Sequence, residues 1–189
     1  MGYQKYLKQA WKTPKASFGA QAWRDFLVKL RGEPTILRVE HPTRLDRAHS
    51  LGYKAKEGFV VVRTRVTRGG RKKPKPGHGR KPKRYGRFAT ARKSEQLMAE
   101  EYANKHYPNC EVLNSYWLAQ DGNYKWFEVI LVDRANPVIK ADKKISWIAE
   151  HRGRVYRGLT AAGRESRGLT KKGPKASQFR PSKRSHGTK

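Results

Sequence analysis

Positive charge dominates this sequence of 189 residues and is concentrated in two segments. The 44 lysines and arginines outnumber the 15 aspartates and glutamates, so the net charge is +29. Residues 63–93 contain 14 basic residues and no acidic one, and residues 151–189 contain 12 basic residues and one glutamate. Residues 94–150, between them, carry a net charge of −3. A compact fold with this surplus would repel itself, so we expect a polyanion to belong to the native state.

The remaining composition allows one folded domain and argues against several classes of protein. Hydrophobic residues make up 36% of the chain and aromatic residues 11%, too many for a wholly disordered protein. No apolar run is long enough to span a membrane, and Met1 to Trp11 does not look like a secretory signal. Cys110 is the only cysteine, so we predict no disulfide and no thiolate zinc site, a buried thiol, and a reducing, intracellular compartment.

Residues 68–93 read as a long basic loop inserted into the domain. Their glycines and prolines break regular structure, and few large apolar residues are present to build a core. A solvated loop without a function is the alternative, but long structureless insertions are usually functional. We therefore predict nucleic-acid binding by this loop and the strand before it. The predicted contacts are Arg63, Arg65, Arg68, Arg71, Lys72, Lys73, Arg80, Lys81, Arg84, Arg87 and Arg92.

Residues 151–189 form a second basic segment, which we predict to be a C-terminal extension. The tetrapeptide Arg-Gly-Leu-Thr occurs at residues 157–160 and again at 167–170. Two copies are too few for a repeat fold, so we expect two similar backbone turns, each presenting an arginine. From Lys171 onward, we expect disorder in the absence of a partner. The predicted contacts are Arg157, Arg164, Arg167, Lys171, Lys172, Arg180 and Arg184.

Two amphipathic helices are predicted at the N-terminus. The first places one stripe on a single face and ends before Pro14; the stripe comprises Tyr3, Tyr6, Leu7, Ala10 and Trp11. The second is predicted to start at an N-cap, Ser17, and to end at Gly32; its apolar face comprises Trp23, Phe26, Leu27 and Leu30. Either stripe could be a stacking surface for nucleic acid, but such spacing more often means core packing, which we expect here.

A short helix and the first long strand should follow. Thr43 is the predicted cap of a helix ending near Gly52, with Asp46 near the positive end of its dipole. Alternation in residues 59–66 places Arg63 and Arg65 on one face with Phe59 and Val61, and Val60, Val62 and Val66 on the other. A second contact patch is predicted around this helix and the approach to the strand. Its members are Arg44, Arg47, Tyr53, Lys54 and Lys56.

The middle of the chain predicts a helix and a hairpin. A helix is expected from Ser94 to Tyr107, with Glu101 and Lys105 paired across one turn. Strands over 110–118 and 125–132 flank Asp121-Gly122, a strong hairpin signal. The sequence therefore predicts an α+β fold, with helices packed on a small antiparallel sheet and a core domain spanning residues 1–150.

Catalytic signals are weak. The six histidines lack metal-ligand spacing, and Glu100 and Glu101 point to different sides of a helix. Asp133 ends a strand and is the one candidate carboxylate for an RNA-modifying enzyme, although a role in its own loop is favoured. We predict no active site, no cofactor and no metal site. Because no DNA-reading motif is present and glycine-rich cationic segments suit folded RNA, RNA is the favoured partner, with a DNA-compacting chromosomal protein as the alternative.

Several blocks of the sequence resemble one ribosomal protein family. They are PTRLDRA at residues 42–48, LGYKAKEG at 51–58, VLNSYW at 112–117, FEVILVD at 127–133 and RGLTAAGR at 157–164. In this order they resemble the L15e family of archaeal and eukaryotic large-subunit proteins, and RPSKRS at 180–185 is similar to the shorter archaeal ending. The resemblance implies a cytoplasmic structural protein of the 50S-type subunit that binds large-subunit rRNA. It also implies neighbouring ribosomal proteins, among them the L7Ae type, with no homo-oligomer, no membrane and no cofactor.

Overall fold

The computed structural model describes residues 2–70, 79 and 93–170. In these ranges the chain forms four strands and eight helices. The strands are β1 (Ile36–Val39), β2 (Phe59–Thr67), β3 (Cys110–Gln120) and β4 (Tyr124–Asp133). The helices are α1 (Gly2–Ala10), α2 (Pro14–Ser17), α3 (Ala20–Gly32), α4 (Leu45–Ser50), α5 (Glu95–His106), α6 (Pro137–Ala141), α7 (Trp147–Glu150) and α8 (Ala161–Ser166).

The four strands form one antiparallel sheet in the order β1-β2-β4-β3. The predicted hairpin of β3 and β4 is confirmed, and its turn is closed by Asp121. The Asp121 carboxylate accepts hydrogen bonds from the backbone N–H groups of Asn123 (2.8 Å) and Tyr124 (2.6 Å). The sheet with its helices is the α+β architecture that the sequence predicts, whereas β1 was not predicted.

Helices cover both faces of the sheet, and the predicted alternation of β2 decides which side chains meet them. Val62 and Val66 pack toward α5, in a cluster that includes Leu97. Val61 faces the opposite side, where Tyr116 belongs to the cluster covered by α4. The division of β2 into two faces is therefore confirmed, and both faces are buried.

The N-terminal helices differ from the prediction in two respects. Ser17 is not the cap of α3, because Pro14 starts a separate short helix that includes Ser17, and α3 begins after Gly19 at a φ of +87°. Core packing was expected for the whole stripe of α1, but it holds only for the C-terminal half. Trp11 is buried, whereas Tyr3 and Tyr6 are 57% and 70% exposed. In α3 the expected burial is complete only at Leu30.

Two predicted local contacts are replaced by longer-range ones. Thr43 does not cap α4, which begins at Leu45; its hydroxyl donates instead to Glu128 on β4. The predicted helix after Ser94 is confirmed as α5, and the Ser94 Oγ caps it by accepting a hydrogen bond from the Leu97 N–H at 3.3 Å. Glu101, however, pairs with Lys93 rather than with Lys105, at 2.8 Å.

The predicted burial of Cys110 is confirmed. Its side chain lies in the cluster under α5, and burial raises the pKa of its thiol to about 11. The thiol is therefore protonated at neutral pH and acts as a small apolar side chain.

The packed core continues beyond residue 150. Val155 and Ala162 belong to the same buried cluster as α5 and the sheet. The two Arg-Gly-Leu-Thr copies form the predicted pair of similar turns, with Gly158 and Gly168 at φ +70° and +67°. In each turn the leucine N–H donates to the carbonyl five residues earlier. Residues 171–189, like 71–78 and 80–92, lie outside the described residues.

Candidate nucleic-acid interface

Buried carboxylates organise the interior of this cationic protein. All 15 acidic residues fall within the described ranges. Three glutamates, Glu100, Glu111 and Glu128, are at most 2% exposed. A buried charge without hydrogen-bond partners costs free energy. Each of these glutamates is therefore surrounded by donors, and the segments that supply the donors are held against the domain.

Glu128 connects the sheet to the segment before α4. Its Oε2 accepts from the Thr43 N–H (3.1 Å) and the Tyr116 hydroxyl (2.5 Å), and its Oε1 accepts from the Thr43 hydroxyl (2.5 Å). Burial and the adjacent Glu128 charge raise the pKa of Tyr116 far above its ordinary value, so the phenol remains a donor. Arg63 adds a contact of 3.2 Å to Oε1 and pairs with Glu33 at 2.7 Å.

Glu111 and Glu100 hold residues 153–160 against the domain. The Glu111 carboxylate accepts from the backbone N–H groups of Gly153 (2.8 Å) and Arg154 (3.2 Å). Glu100 accepts from the hydroxyls of Ser115 (2.5 Å) and Thr160 (2.6 Å). Burial raises the pKa of Glu100, although both hydroxyls oppose the rise.

Arg154 is a buried cation that the sequence reasoning did not single out. Its guanidinium donates to the carbonyls of Val112 (2.6 Å) and Leu159 (3.1 Å) and lies over the Trp147 ring, 4.6 Å from the centroid. No sequence signal distinguishes it from the exposed arginines nearby, since its burial against β3 depends on Glu111 and Val112, which are 43 and 42 positions away.

Three residues of the predicted interface have internal contacts. The Arg44 guanidinium donates to the Trp117 carbonyl at 3.2 Å and lies over the Trp11 ring, 4.9 Å from its centroid. Arg63 is occupied by Glu33, Thr43 and Glu128. Tyr53 is buried in the cluster on the α4 side of the sheet.

Lys54 and Lys56 are brought together by one carboxylate. Both Nζ atoms lie 2.7 Å from Oδ2 of Asp142. The two lysines hold the pKa of Asp142 well below its ordinary value, so this group is ionised at neutral pH. The trio carries one net positive charge at the surface.

Arg65, Arg68 and Arg167 lie partly against the protein. Arg65 donates to the Arg31 carbonyl (2.9 Å) and lies over the Tyr124 ring, 4.7 Å from its centroid. Arg68 donates to the Asp121 carbonyl at 2.6 Å, and Arg167 to the Tyr156 carbonyl at 2.7 Å. Carbonyl contacts orient these guanidinium groups without neutralising them.

The remaining predicted residues are exposed or lie outside the described ranges. Arg47 on α4 and Arg157 and Arg164 near the repeated turns are exposed. Twelve predicted contacts cannot be placed, because they fall in residues 71–78, 80–92 and 171–189. These are Arg71, Lys72, Lys73, Arg80, Lys81, Arg84, Arg87, Arg92, Lys171, Lys172, Arg180 and Arg184.

The balance of ion pairs leaves the cations in excess. Within residues 2–70, 79 and 93–170, seven of 27 lysines and arginines pair with a carboxylate within 4 Å. The carboxylates thus serve mainly to join parts of the domain, and a large positive charge remains at its surface.

The family profile described as "Ribosomal L15" matches residues 2–186 of this chain. The chain belongs to the ribosomal L15e family. It is therefore a structural protein of the large ribosomal subunit, located in the cytoplasmic ribosome and associated with large-subunit rRNA and other ribosomal proteins.

In this L15e family member, Asp133 is the one carboxylate that the sequence offers to an enzyme. The Asp133 carboxylate accepts the Ala135 N–H at 2.9 Å, which is the loop role favoured over catalysis. Within the described part of the chain, no group of three histidine, cysteine, aspartate or glutamate side chains could hold a metal ion. Among the helices described, none is long and apolar enough to cross a membrane.

Proposed function

We propose that this protein stabilises folded large-subunit rRNA through its basic loop, residues 68–93, its C-terminal extension, residues 151–189, and the exposed cations of the core. The observation that supports this most directly is that buried carboxylates accept hydrogen bonds from donors inside the domain. Because Glu100, Glu111 and Glu128 are buried and accept hydrogen bonds within the domain, none of them forms an ion pair with an exposed surface cation. In the ribosome, the phosphates of rRNA supply the negative charge that balances the surface cations.

The core has a distinct part in this proposal, because it fixes where the basic segments leave the domain. Arg68 follows β2, and its backbone N–H donates to the Asn123 carbonyl at 2.9 Å. Lys93, at the other end of the loop, pairs with Glu101 on α5. Both ends of the loop are thus attached to the folded domain.

The interface proposed for the core consists of exposed and half-buried cations that pair with no carboxylate in the described ranges. It includes Arg47, Arg157 and Arg164, with Arg65 and Arg68 as guanidinium groups already oriented by carbonyls. Arg44, Arg63 and Tyr53 are left out because their side chains contact the interior. Contact with an L7Ae-type neighbour, and the absence of a homo-oligomer, remain part of the proposal.

The test is incorporation into the large subunit with the loop charge removed. In one variant, every lysine and arginine in residues 71–92 is replaced by serine or glutamine at constant length. In a matched control, the same residues are scrambled so that composition and charge are retained. We expect the neutral loop to reduce co-sedimentation with large subunits in a moderate-salt gradient, because each lost phosphate contact removes about 0.7–0.9 from the salt slope of binding.

Circular dichroism provides the control for folding. The helix and strand signals should be unchanged in both variants, since all the elements in the described ranges lie outside residues 71–92. Normal incorporation of the neutral-loop variant would contradict the role proposed for the loop. Equal affinity of the wild-type protein for rRNA fragments and duplex DNA at one salt concentration would instead indicate charge-driven binding without preference for folded RNA.

A further inference from the structure

The turn between β3 and β4 gathers three arginines from different parts of the chain. Arg31 belongs to the last turn of α3, and its Nε lies 2.9 Å from Oδ2 of Asp121. Arg65 lies on β2 and donates to the Arg31 carbonyl at 2.9 Å. Arg68 follows β2 and donates to the Asp121 carbonyl at 2.6 Å. A continuous set of hydrogen bonds therefore joins the three arginines to one residue of the turn.

The carboxylate in this set faces the backbone of the turn. Oδ1 of Asp121 accepts the N–H groups of Asn123 and Tyr124. Burial raises the pKa of Asp121, but these N–H groups and Arg31 outweigh it, so the pKa lies below its ordinary value and the group is ionised at neutral pH. The Asp121 side chain is 8% exposed and that of Arg31 is 51% exposed, and Arg68 is exposed as well. The negative charge thus lies inside the cluster and the guanidinium groups lie at its surface.

The charges of the cluster do not balance. Within the described residues, Arg31–Asp121 is the one ion pair that any of the three arginines forms. A second carboxylate, Glu95 on α5, pairs with Lys125 at 3.0 Å. The hydrogen bond from Lys125 is the main cause of the lowered pKa of Glu95, and the charge of Arg68 adds to it. The three arginines and Lys125 therefore carry two more charges than the two carboxylates offset.

The guanidinium groups are oriented but still have donors to offer. Arg65 lies over the Tyr124 ring, 4.7 Å from its centroid. Each of the three groups makes one hydrogen bond within the described residues, whereas a guanidinium has five N–H donors. The planar fork of donors matches the oxygens of a phosphate group. Since the side chains are already held in place, less conformational entropy is lost when an anion binds.

We propose that Arg31, Arg65 and Arg68 form one site for the phosphate backbone of RNA, with Asp121 as the residue that positions them. This inference rests on the RNA-binding function proposed above and names the part of the RNA that this surface recognises. The proposed basic loop begins at Arg68, so the site is continuous with the RNA-binding surface proposed for the loop. An acidic protein partner would also meet three guanidinium groups, and the test separates it from RNA.

The test compares two variants that keep the net charge of +29. Binding of the full chain to transcribed large-subunit rRNA is measured over a series of salt concentrations. The test variant is Arg31→Lys/Arg65→Lys/Arg68→Lys. The matched control changes three exposed arginines whose side chains make no hydrogen bond within the described residues, in the variant Arg47→Lys/Arg157→Lys/Arg164→Lys.

The test variant should bind the rRNA at least tenfold more weakly than the wild type. Lysine keeps the charge but lacks the planar fork, and a hydrogen bond to a charged group is worth about tenfold or more in affinity. The salt slope should not change, since no cation is removed. The control variant should bind like the wild type. Arg68→Lys alone, at an exposed position, should show a smaller loss, and circular dichroism should show all variants folded.

Wild-type affinity in the test variant would overturn the site, also if that variant lost a protein neighbour from the subunit, which would indicate an acidic protein partner. An equal loss in the test and control variants would overturn it as well, because oriented and unoriented arginines would then contribute alike. Failure of the wild-type chain to bind the rRNA would contradict the general RNA-binding function, and the site with it, so the two failures are distinguishable.

Discussion

The hydroxyl of Thr160 donates a hydrogen bond of 2.6 Å to Oε2 of Glu100, a carboxylate with no exposed surface. The two residues are 60 positions apart in the chain. Since Thr160 also caps α8 by accepting the Gly163 N–H at 3.1 Å, one side chain connects the C-terminal helix to α5. Part of the predicted basic extension is thereby fixed to the core.

Replacing Glu100 by glutamine should change how stability depends on pH. Burial raises the folded-state pKa of Glu100 above its ordinary value of 4.5, so the folded state favours the protonated form. The stabilisation this provides is fully present below pH 4.5 and is lost as the pH rises through the folded-state pKa. The free energy of unfolding of Glu100→Gln relative to the wild type should therefore increase on going from acid to neutral pH.

Urea denaturation at a series of pH values measures this difference, with Glu101→Gln as the control. Glu101 is the next residue on α5, and its carboxylate pairs with the exposed Lys93, so Glu101→Gln removes a neighbouring glutamate without changing the hydrogen bonds of Glu100. A constant offset between Glu100→Gln and the wild type at all pH values would contradict the prediction.

Removing the Glu128 carboxylate should be strongly destabilising. Glu128→Ala leaves the Tyr116 hydroxyl and the Thr43 donors without their acceptor and removes one partner of Arg63. Breaking a buried ionic network on one side costs about 3–5 kcal/mol. The midpoint of urea denaturation, compared at an unchanged m-value, gives the loss directly.

Glu95→Ala is the matched control for Glu128→Ala. Glu95 pairs with Lys125 at 3.0 Å on the surface, where such a pair contributes at most about 1 kcal/mol. If Glu128→Ala and Glu95→Ala had the same free energy of unfolding, the hydrogen bonds to Glu128 would not stabilise the domain more than a surface ion pair does.

A methyl group at residue 163 should disturb the contact between the first repeated turn and α8. A Cβ on Gly163 would lie 2.9 Å from the Gly158 Cα and 3.0 Å from the Thr160 hydroxyl oxygen. We expect Gly163→Ala to cost about 1–3 kcal/mol through overpacking, despite the better helix propensity of alanine. Gly32→Ala, at the last position of α3 with open space around it, should be neutral or stabilising in the same thermal denaturation measurement.

Releasing the lysine pair from Asp142 should strengthen RNA binding if those lysines face phosphate. Asp142→Asn removes the charge that Lys54 and Lys56 share at 2.7 Å. The salt slope of RNA binding should rise by about 0.7–0.9 for each lysine that then reaches a phosphate. Asp133→Asn is the control, since it changes the net charge equally but affects a carboxylate bound to its own loop backbone. Equal salt slopes of RNA binding in Asp142→Asn and Asp133→Asn would exclude Lys54 and Lys56 from the RNA interface.

Features set by neighbouring residues could be predicted from the sequence. The β3–β4 hairpin follows from alternation and from Asp121-Gly122, and helix α5 lies within the range 94–107 that the sequence predicts. The paired turns at Gly158 and Gly168 follow from the repeated tetrapeptide. Strand β1 was missed because four residues are too short to show a period.

The candidate site was predictable only as a charge distribution. The sequence identified the cations and the segments that carry them, but it could not separate Arg63, which faces Glu128, from Arg47, which faces solvent. The side chains and N–H groups that donate to the buried glutamates are 12 to 85 positions away in the chain, so local patterns contain no sign of these contacts.

The sequence by itself determined the α+β fold class, the β3–β4 hairpin, the family and the surplus of positive charge. Each of these depends on residue type or on the pattern of neighbouring residues. Only the tertiary structure decided that Glu128 and Glu100 fasten distant segments and that Tyr3 and Tyr6 stay uncovered. The physical reason is that a helical period shows which side chains share a face, whereas burial depends on what the rest of the chain packs against that face.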